Sequence, residues 1–368
     1  MTIPYQMIDS AESFRAMLAR LEGESVLALD TEFVWDRTYY ARLGLIQIGL
    51  SDGASFLIDP LAIGDLSPLG KFLEDSCKTK ILHDAPQDLM ILRRATGATA
   101  RNVFDTRLAA GFAGLISTLS LGNLLSEVLD VHLAKAHTRA DWMARPLTPE
   151  ELEYAADDVR YLPQVATLLR SRAREAGVEA WLNEELVPLD GSDVYEEKDF
   201  RDAYLRIRAA ASLAPRNLAV LRELAAWREQ AARAADRPRR WLLEDGELVS
   251  MSTELPGRVC ELRLSPQTVH LYGEALLEAI QRALALPEGE WPAPVFQPSR
   301  DPAFRKSVDA AMEQIASCAA ECKIDPQLVC SKNEWARWVQ EDSLAKAGEN
   351  PLSRGWRSEF LKRAGLDQ

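Results

Sequence analysis

Two carboxylates stand two residues apart in the apolar stretch ALDTEF, Asp30 and Glu32. On a strand, side chains at that spacing share a face, so both acids point the same way. Asp88 stands in HDAPQDLMIL, just after another strand-like stretch and where a helix begins. Tyr154 and Asp158 stand four residues apart in LTPEELEYAADDVRYL, which puts both on one face of a helix. Asp157 is rotated about 100° from that face. Singly, each has a plain reading: a solvated sheet end, a favourable charge at a helix start, a core tyrosine, a surface acid. As a set they imply chemistry. If the sheet brings Asp30, Glu32, Asp88 and Asp158 to one cleft, they cannot all stay ionised without a counter-charge. Two hard divalent cations, Mg²⁺ or Mn²⁺, supply it, because such ions prefer oxygen ligands. A pair of ions about 4 Å apart suits phosphodiester cleavage, one activating a water and the other stabilising the departing oxygen. Tyr154 then holds or helps deprotonate the attacking water, since a phenol both donates and accepts.

The elements that must position these groups are legible in pattern. Segments 25–33, 43–51 and 54–60 are rich in strand formers, and SDG between the last two predicts a hairpin. Segments 79–85 and 102–105 read as two further short strands. Helical periodicity falls near 67–76, 86–96, 106–114, 120–129 and 149–176. The last of these has a defined start: Thr148 as cap, Pro149 at the first position and Glu151 to complete a capping box. Pro163 is expected to bend it. A strand meander followed by helix–strand alternation predicts an α/β domain with a mixed sheet covered by helices.

The rest of the chain differs in character. Of 368 residues, the first 182 make up this domain, and 183–204 form an acidic linker. Residues 205–288 carry the helical patterns of 217–235 and 265–285. Five prolines between 287 and 302 rule out a regular helix there, marking 289–302 as a second linker. A second small all-helical domain is expected over 303–368, with Trp335, Trp338 and Trp356 as core anchors. The net charge of −13 argues against a general nucleic-acid binder. Segment 201–243 runs the other way: ten arginines face four acids, a local surplus of six positive charges suited to phosphate contacts. The five cysteines form no CxxC pair and have no histidine near the last three, which argues against a zinc site and for buried or idle thiols. No apolar run approaches the ~20 residues that cross a bilayer. The first residues, MTIPYQMIDSAESF, lack a basic region followed by an apolar block, so no secretory signal is expected and a cytoplasmic location follows by default.

The order DTEF, HDAPQDL, FDT, YAADDVRYL resembles the DEDD superfamily of 3′→5′ exonucleases, in its tyrosine-containing branch. LDTEFVWDRTYYARLGLIQIG, IDPL and TRADWMARPLT are similar, within that branch, to the ribonuclease D family. The resemblance spans residues 25–175. It implies a ribonuclease H-like α/β fold and two-metal hydrolysis that releases 5′-nucleotides from RNA 3′ ends, with transfer RNA precursors as the substrate class. The motif acids fall on Asp30, Glu32, Asp88 and Asp158, the metal ligands, with Tyr154 as the motif tyrosine. Residues 213–288 resemble the helicase-and-RNase-D C-terminal domain, and the tail resembles a second, diverged copy. In the family such domains hold RNA.

Around the motifs, Phe33, Trp35, Tyr39 and Tyr40 offer rings for stacking on a terminal base, and Lys135, Arg139 and Arg145 offer charges for phosphates. His83 is expected to make a structural hydrogen bond, and Asp105 to support the site without holding metal. A DNA-directed exonuclease on the same scaffold is a second reading. The lack of a GxxxxGK[ST] stretch favours RNA. A non-catalytic RNA-binding protein is a third, and the complete acid set counts against it, because clustered carboxylates repel phosphate. Nothing in the sequence demands a dimer, so a monomer is expected.

Overall fold

Six strands form one sheet: β1 (Tyr5–Ile8), β2 (Val26–Val34), β3 (Arg42–Gly49), β4 (Ser55–Ile58), β5 (Thr79–Leu82) and β6 (Val103–Asp105). Their order is β1-β4-β3-β2-β5-β6. β1 runs parallel to β4, β2 to β5 and β5 to β6, whereas β3 and β4 are antiparallel. The sheet is therefore mixed. The β3–β4 turn closes at SDG, where the Leu50 amide donates to Ala54 at 2.9 Å and Gly53 takes a φ of 90°. All of β4 and most of β3 are buried, the mark of strands covered on both faces. The short β1 has too few residues to show an alternation and is added to the sheet by pairing with β4.

This computed structural model describes residues 5–133, 140–191, 195, 199–341 and 350–366. It divides into two compact units. The first comprises Met1–Val34, Leu43–Glu196 and Pro298–Gln368, and the second Trp35–Arg42 and Glu197–Gln297.

In the first unit the sheet is accompanied by α1 (Ala11–Leu21), α2 (Pro86–Thr96), α3 (Thr106–Phe112), α4 (Leu121–Leu129), α5 (Pro149–Arg160), α6 (Leu162–Glu175) and α7 (Glu179–Leu186). α5 starts as its sequence dictates. The Glu151 amide donates to Thr148 Oγ1 at 3.2 Å, and the Thr148 amide to Glu151 Oε2 at 2.8 Å, with Pro149 in the first turn. The expected single helix over 149–176 is two helices that meet at Tyr161. Pro163 lies in the first turn of α6, where its missing N–H costs nothing.

The second unit is built on α8 (Pro215–Ala235), α9 (Asp245–Glu254) and α10 (Pro266–Leu284). Leu218, Leu221 and Leu224 of α8 bury against Leu248 and Met251 of α9 and Leu276 and Ile280 of α10. Then α11 (Pro302–Cys322), α12 (Lys332–Glu341) and α13 (Gly355–Arg363) return to the first unit. Trp356 stacks on Trp181 of α7, ring centroids 5.7 Å apart, and meets Phe112 edge-on at 5.2 Å. Asp325 accepts from the Ser117 amide at 2.6 Å, and Arg357 pairs with Glu185 at 2.6 Å. Trp335 and Trp338 are buried too. All five cysteines are free thiols. Among the described residues, no helix is long and apolar enough to cross a membrane.

Candidate active site

β2 supplies Asp30 from its middle and Glu32 two residues further on, and α5 supplies Asp158. Carboxylate oxygens of these three lie within 4.8 Å of one another. A close approach of helix to strand makes this possible: a Cβ on Gly49 of β3 would stand 2.6 Å from the carbonyl oxygen of Val159, next to Asp158. Only a glycine lets α5 lie that near.

Such a cluster resists ionisation. Asp30 is held well above the usual carboxylate range, by burial first and then by the charges of Asp88, Asp158 and Glu32. Burial, with the charges of Asp158 and Asp88, pushes the Glu32 carboxyl up to about 8. Burial raises Asp158 to about 7; the hydrogen bond from Tyr154 pulls it down, while Asp157 and Asp88 add to the rise. Three neighbouring acids that repel in this way are a ready site for hard cations, whose charge removes the penalty. The donor set is all oxygen, which suits Mg²⁺ or Mn²⁺.

Asp88 is placed differently. It sits in the first turn of α2, buried, outside the trio of converging oxygens. Its carboxylate accepts from the Thr31 hydroxyl. Burial raises it to about 6, against the pull of that hydrogen bond. Thr31 was not singled out in the sequence, although its place between Asp30 and Glu32 was a signal. A strand residue flanked by two converging acids points away from them and is free to brace another element.

Tyr154 donates its hydroxyl to Asp158, one turn along α5. Burial first, then the charges of Asp158, Glu32 and Asp30, raise its pKa. Its ring packs 6.2 Å from that of Trp142, over a core patch that includes Leu45 and Leu57 of the sheet. Asp157 faces elsewhere and pairs with Arg160.

The neighbouring polar groups have structural partners. Asp105 caps α3 through the Arg107 amide at 2.7 Å and accepts from the Ala85 amide at 2.9 Å, bracing the turn that leads to Asp88. His83 hydrogen-bonds Thr106 Oγ1 at 3.0 Å and the Leu119 carbonyl at 3.1 Å. Arg145 is turned inward: it holds both Asp59 oxygens, at 2.6 and 2.7 Å, and the Gly44 carbonyl at 2.7 Å. Lys135 and Arg139 lie outside the described residues.

Comparison with known proteins identifies the family. A family model described as 3′-5′ exonuclease matches residues 5–173, and one described as HRDC domain matches residues 217–280. The chain is 40% identical to ribonuclease D of Desulfotalea psychrophila, covering 97% of this chain and 96% of that one. It is 34% identical to ribonuclease D of Escherichia coli over 98% of this chain and 97% of that one. Among solved structures, the crystal structure of Escherichia coli RNase D, described as an exoribonuclease involved in structured RNA processing, superposes with a TM-score of 0.86. Its identity is 32%, over 98% of this chain and 97% of that chain. A mixed sheet with exonuclease motifs in order, a helical module after it and relatives alike along nearly their whole length lead to one statement: this chain belongs to the ribonuclease D family.

Proposed function

We propose that this protein is a divalent-metal-dependent 3′→5′ exoribonuclease that trims RNA 3′ ends to 5′-nucleotides, with Asp30, Glu32, Asp88, Tyr154 and Asp158 as its working residues. The observation that carries the reading is the convergence of carboxylate oxygens from Asp30, Glu32 and Asp158 within 4.8 Å. A cluster so costly to ionise favours a function that brings positive charge to it.

Asp30, Glu32 and Asp158 would hold the metal, with Asp88, braced by Thr31, completing the set. Two bound Mg²⁺ or Mn²⁺ ions supply Lewis-acid stabilisation of the phosphodiester and a more acidic water. The protein's own groups do the rest. Partial burial of Asp30 and Glu32 beside the buried Asp158 strengthens the charge interactions among them. Tyr154 keeps its proton, because the surrounding acids disfavour a phenolate. It therefore serves by orienting a water through its oxygen while its O–H donates to the Asp158 carboxylate. The Tyr154 oxygen would accept a hydrogen bond from that water as the water's proton leaves.

The description of the Escherichia coli relative as acting in structured RNA processing supports structured RNAs as the substrate class, and the motif resemblance adds transfer RNA precursors as the candidate among them. The arginine surplus of 201–243 supports a strand-holding role for the second unit. The protein works as a cytoplasmic monomer.

The test is a time course on a transfer RNA precursor with a 3′ extension and on a matched DNA strand, with Mg²⁺, with Mn²⁺ and with chelator, beside Asp30→Asn. Metal-dependent one-nucleotide shortening of the RNA, lost in the variant, is the expected result. Faster loss of DNA moves the substrate to DNA. RNA bound but never shortened removes the enzymatic reading.

A further inference from the structure

The loop Trp35–Arg42 leaves the strand that carries Asp30 and Glu32, yet it is built into the second compact unit. Several bonds hold it there. The amides of Tyr39 and Tyr40 both donate to Asp236 Oδ1, at 3.0 and 3.1 Å. Asp236 is the left-handed residue that ends α8. The Tyr39 hydroxyl donates to the Glu229 carboxylate and accepts from Arg233 Nε at 3.0 Å. The Glu229 side chain is 3% exposed and also meets Arg239 at 3.2 Å and Arg206 at 3.8 Å. Three guanidiniums thus surround one buried carboxylate. Of these, the Arg206 and Arg239 side chains are 48% and 39% exposed, which leaves edges of their planar forks open to phosphate oxygens.

Within the loop, Trp35 Nε1 donates to the Tyr39 carbonyl at 2.7 Å, and Thr38 Oγ1 to the Tyr40 carbonyl at 2.6 Å. The indole is oriented by its N–H bond to the residue whose hydroxyl is anchored on Glu229, and Trp35 is still 49% exposed. A single exposed apolar side chain is ordinary. One that is oriented by hydrogen bonding, beside a surplus of guanidinium, has the two ingredients of a single-strand platform: a flat ring for a base and charge for the backbone. Chain connectivity adds the third. Trp35 follows Glu32 by three residues, so its Cα can be no more than about 11 Å from that of Glu32.

Resting on the exoribonuclease reading, we propose that Trp35 stacks on a base of the RNA strand near its 3′ end, and that Tyr39, tied to Glu229 and Arg233, is the positioning residue that sets the indole. Of the four rings in FVWDRTYY, Trp35 is the one that receives substrate, while Tyr39 is committed to holding the loop.

Steady-state hydrolysis of a single-stranded oligoribonucleotide by the full chain tests this, with a parallel series carrying one abasic nucleotide at successive positions from the 3′ end. Trp35→Ala should raise KM about tenfold, the greater part of the loss falling in KM. Trp35→Phe should stay near wild type, because a ring remains. At one abasic position the wild type and Trp35→Ala should become equal, which a merely structural role would not produce. Tyr39→Phe should raise KM by less and add nothing on top of Trp35→Ala. A wild-type KM for Trp35→Ala, or a loss undiminished at every abasic position, overturns the proposal. Wild-type protein that leaves RNA intact in both metals would overturn the exoribonuclease reading itself, and this inference with it.

Discussion

Thr31 donates its hydroxyl to the Asp88 carboxylate, tying the strand of Asp30 and Glu32 to the first turn of α2. The two residues are 57 apart in sequence. Thr31→Val keeps the shape and removes the donor, leaving a buried carboxylate short of one hydrogen bond. We expect a stability loss of about 1–3 kcal/mol in the metal-free protein and a higher Mg²⁺ requirement for RNA hydrolysis. Thr31→Ser should restore both. A metal titration of the hydrolysis rate checks this; an unchanged requirement in Thr31→Val would mean that the bond does not prepare Asp88 for metal.

The acid cluster predicts a pH dependence with a definite sign. Glu32 at about 8, Asp158 at about 7 and Asp88 at about 6 all stand above their ordinary values. A raised carboxyl keeps its proton in the folded state at a pH where the unfolded chain has released it. Stability is therefore fully present below the unfolded pKa, near 4, and declines as pH rises through the folded values toward about 8. Metal-free Asp30→Asn lacks one of the repelling charges. It should melt a few degrees above metal-free wild type at pH 8, about 2–4 °C per kcal/mol, with the gap closing toward pH 5. Added Mg²⁺ should reverse the order, because ligand bound only to the native state stabilises the wild type. Thermal melts with chelator and with Mg²⁺ decide it, and a gap that ignores pH would tell against mutual repulsion as its source.

Tyr154→Phe leaves the ring on its Trp142 and Leu45 patch and deletes the hydroxyl beside Asp158. Its melting temperature should move little. The rate on RNA should fall about a hundredfold, the low end for loss of a proton-transfer group. Single-turnover hydrolysis at saturating metal measures it, and a wild-type rate would remove Tyr154 from the chemistry.

Gly49→Ala tests the approach of α5 to the sheet. The added Cβ would meet the Val159 carbonyl at 2.6 Å, and backbone on both sides must yield. Overpacking of this kind costs about 1–3 kcal/mol, and here the displaced element carries Asp158. We expect both a lower melting temperature and a rate loss larger than the stability loss alone explains. Retained activity in a destabilised protein would show that α5 can shift without moving Asp158 out of register.

What could be read in advance was what rests on local rules. The DxE pair on β2 follows from the two-residue period of a strand. The start of α5 follows from Thr148, Pro149 and Glu151, and the pairing of Tyr154 with Asp158 from the turn of a helix, all within a dozen residues. The antiparallel β3–β4 hairpin was visible because its turn residues are adjacent. The break between α5 and α6 was only half visible: Pro163 announced an interruption, and tertiary packing made it an end.

Local rules thus place the motif residues on their elements, because side-chain periodicity and capping are short-range. The tertiary structure decided what braces them: Thr31 against Asp88, the glycine gap that admits α5, the return of Trp356 to Trp181 and the anchoring of Tyr39 on Glu229. Each joins residues tens to nearly two hundred positions apart. No local preference selects such a partner; it is selected when the two surfaces close on each other and a donor, a ring or an empty Cβ position fits what it meets.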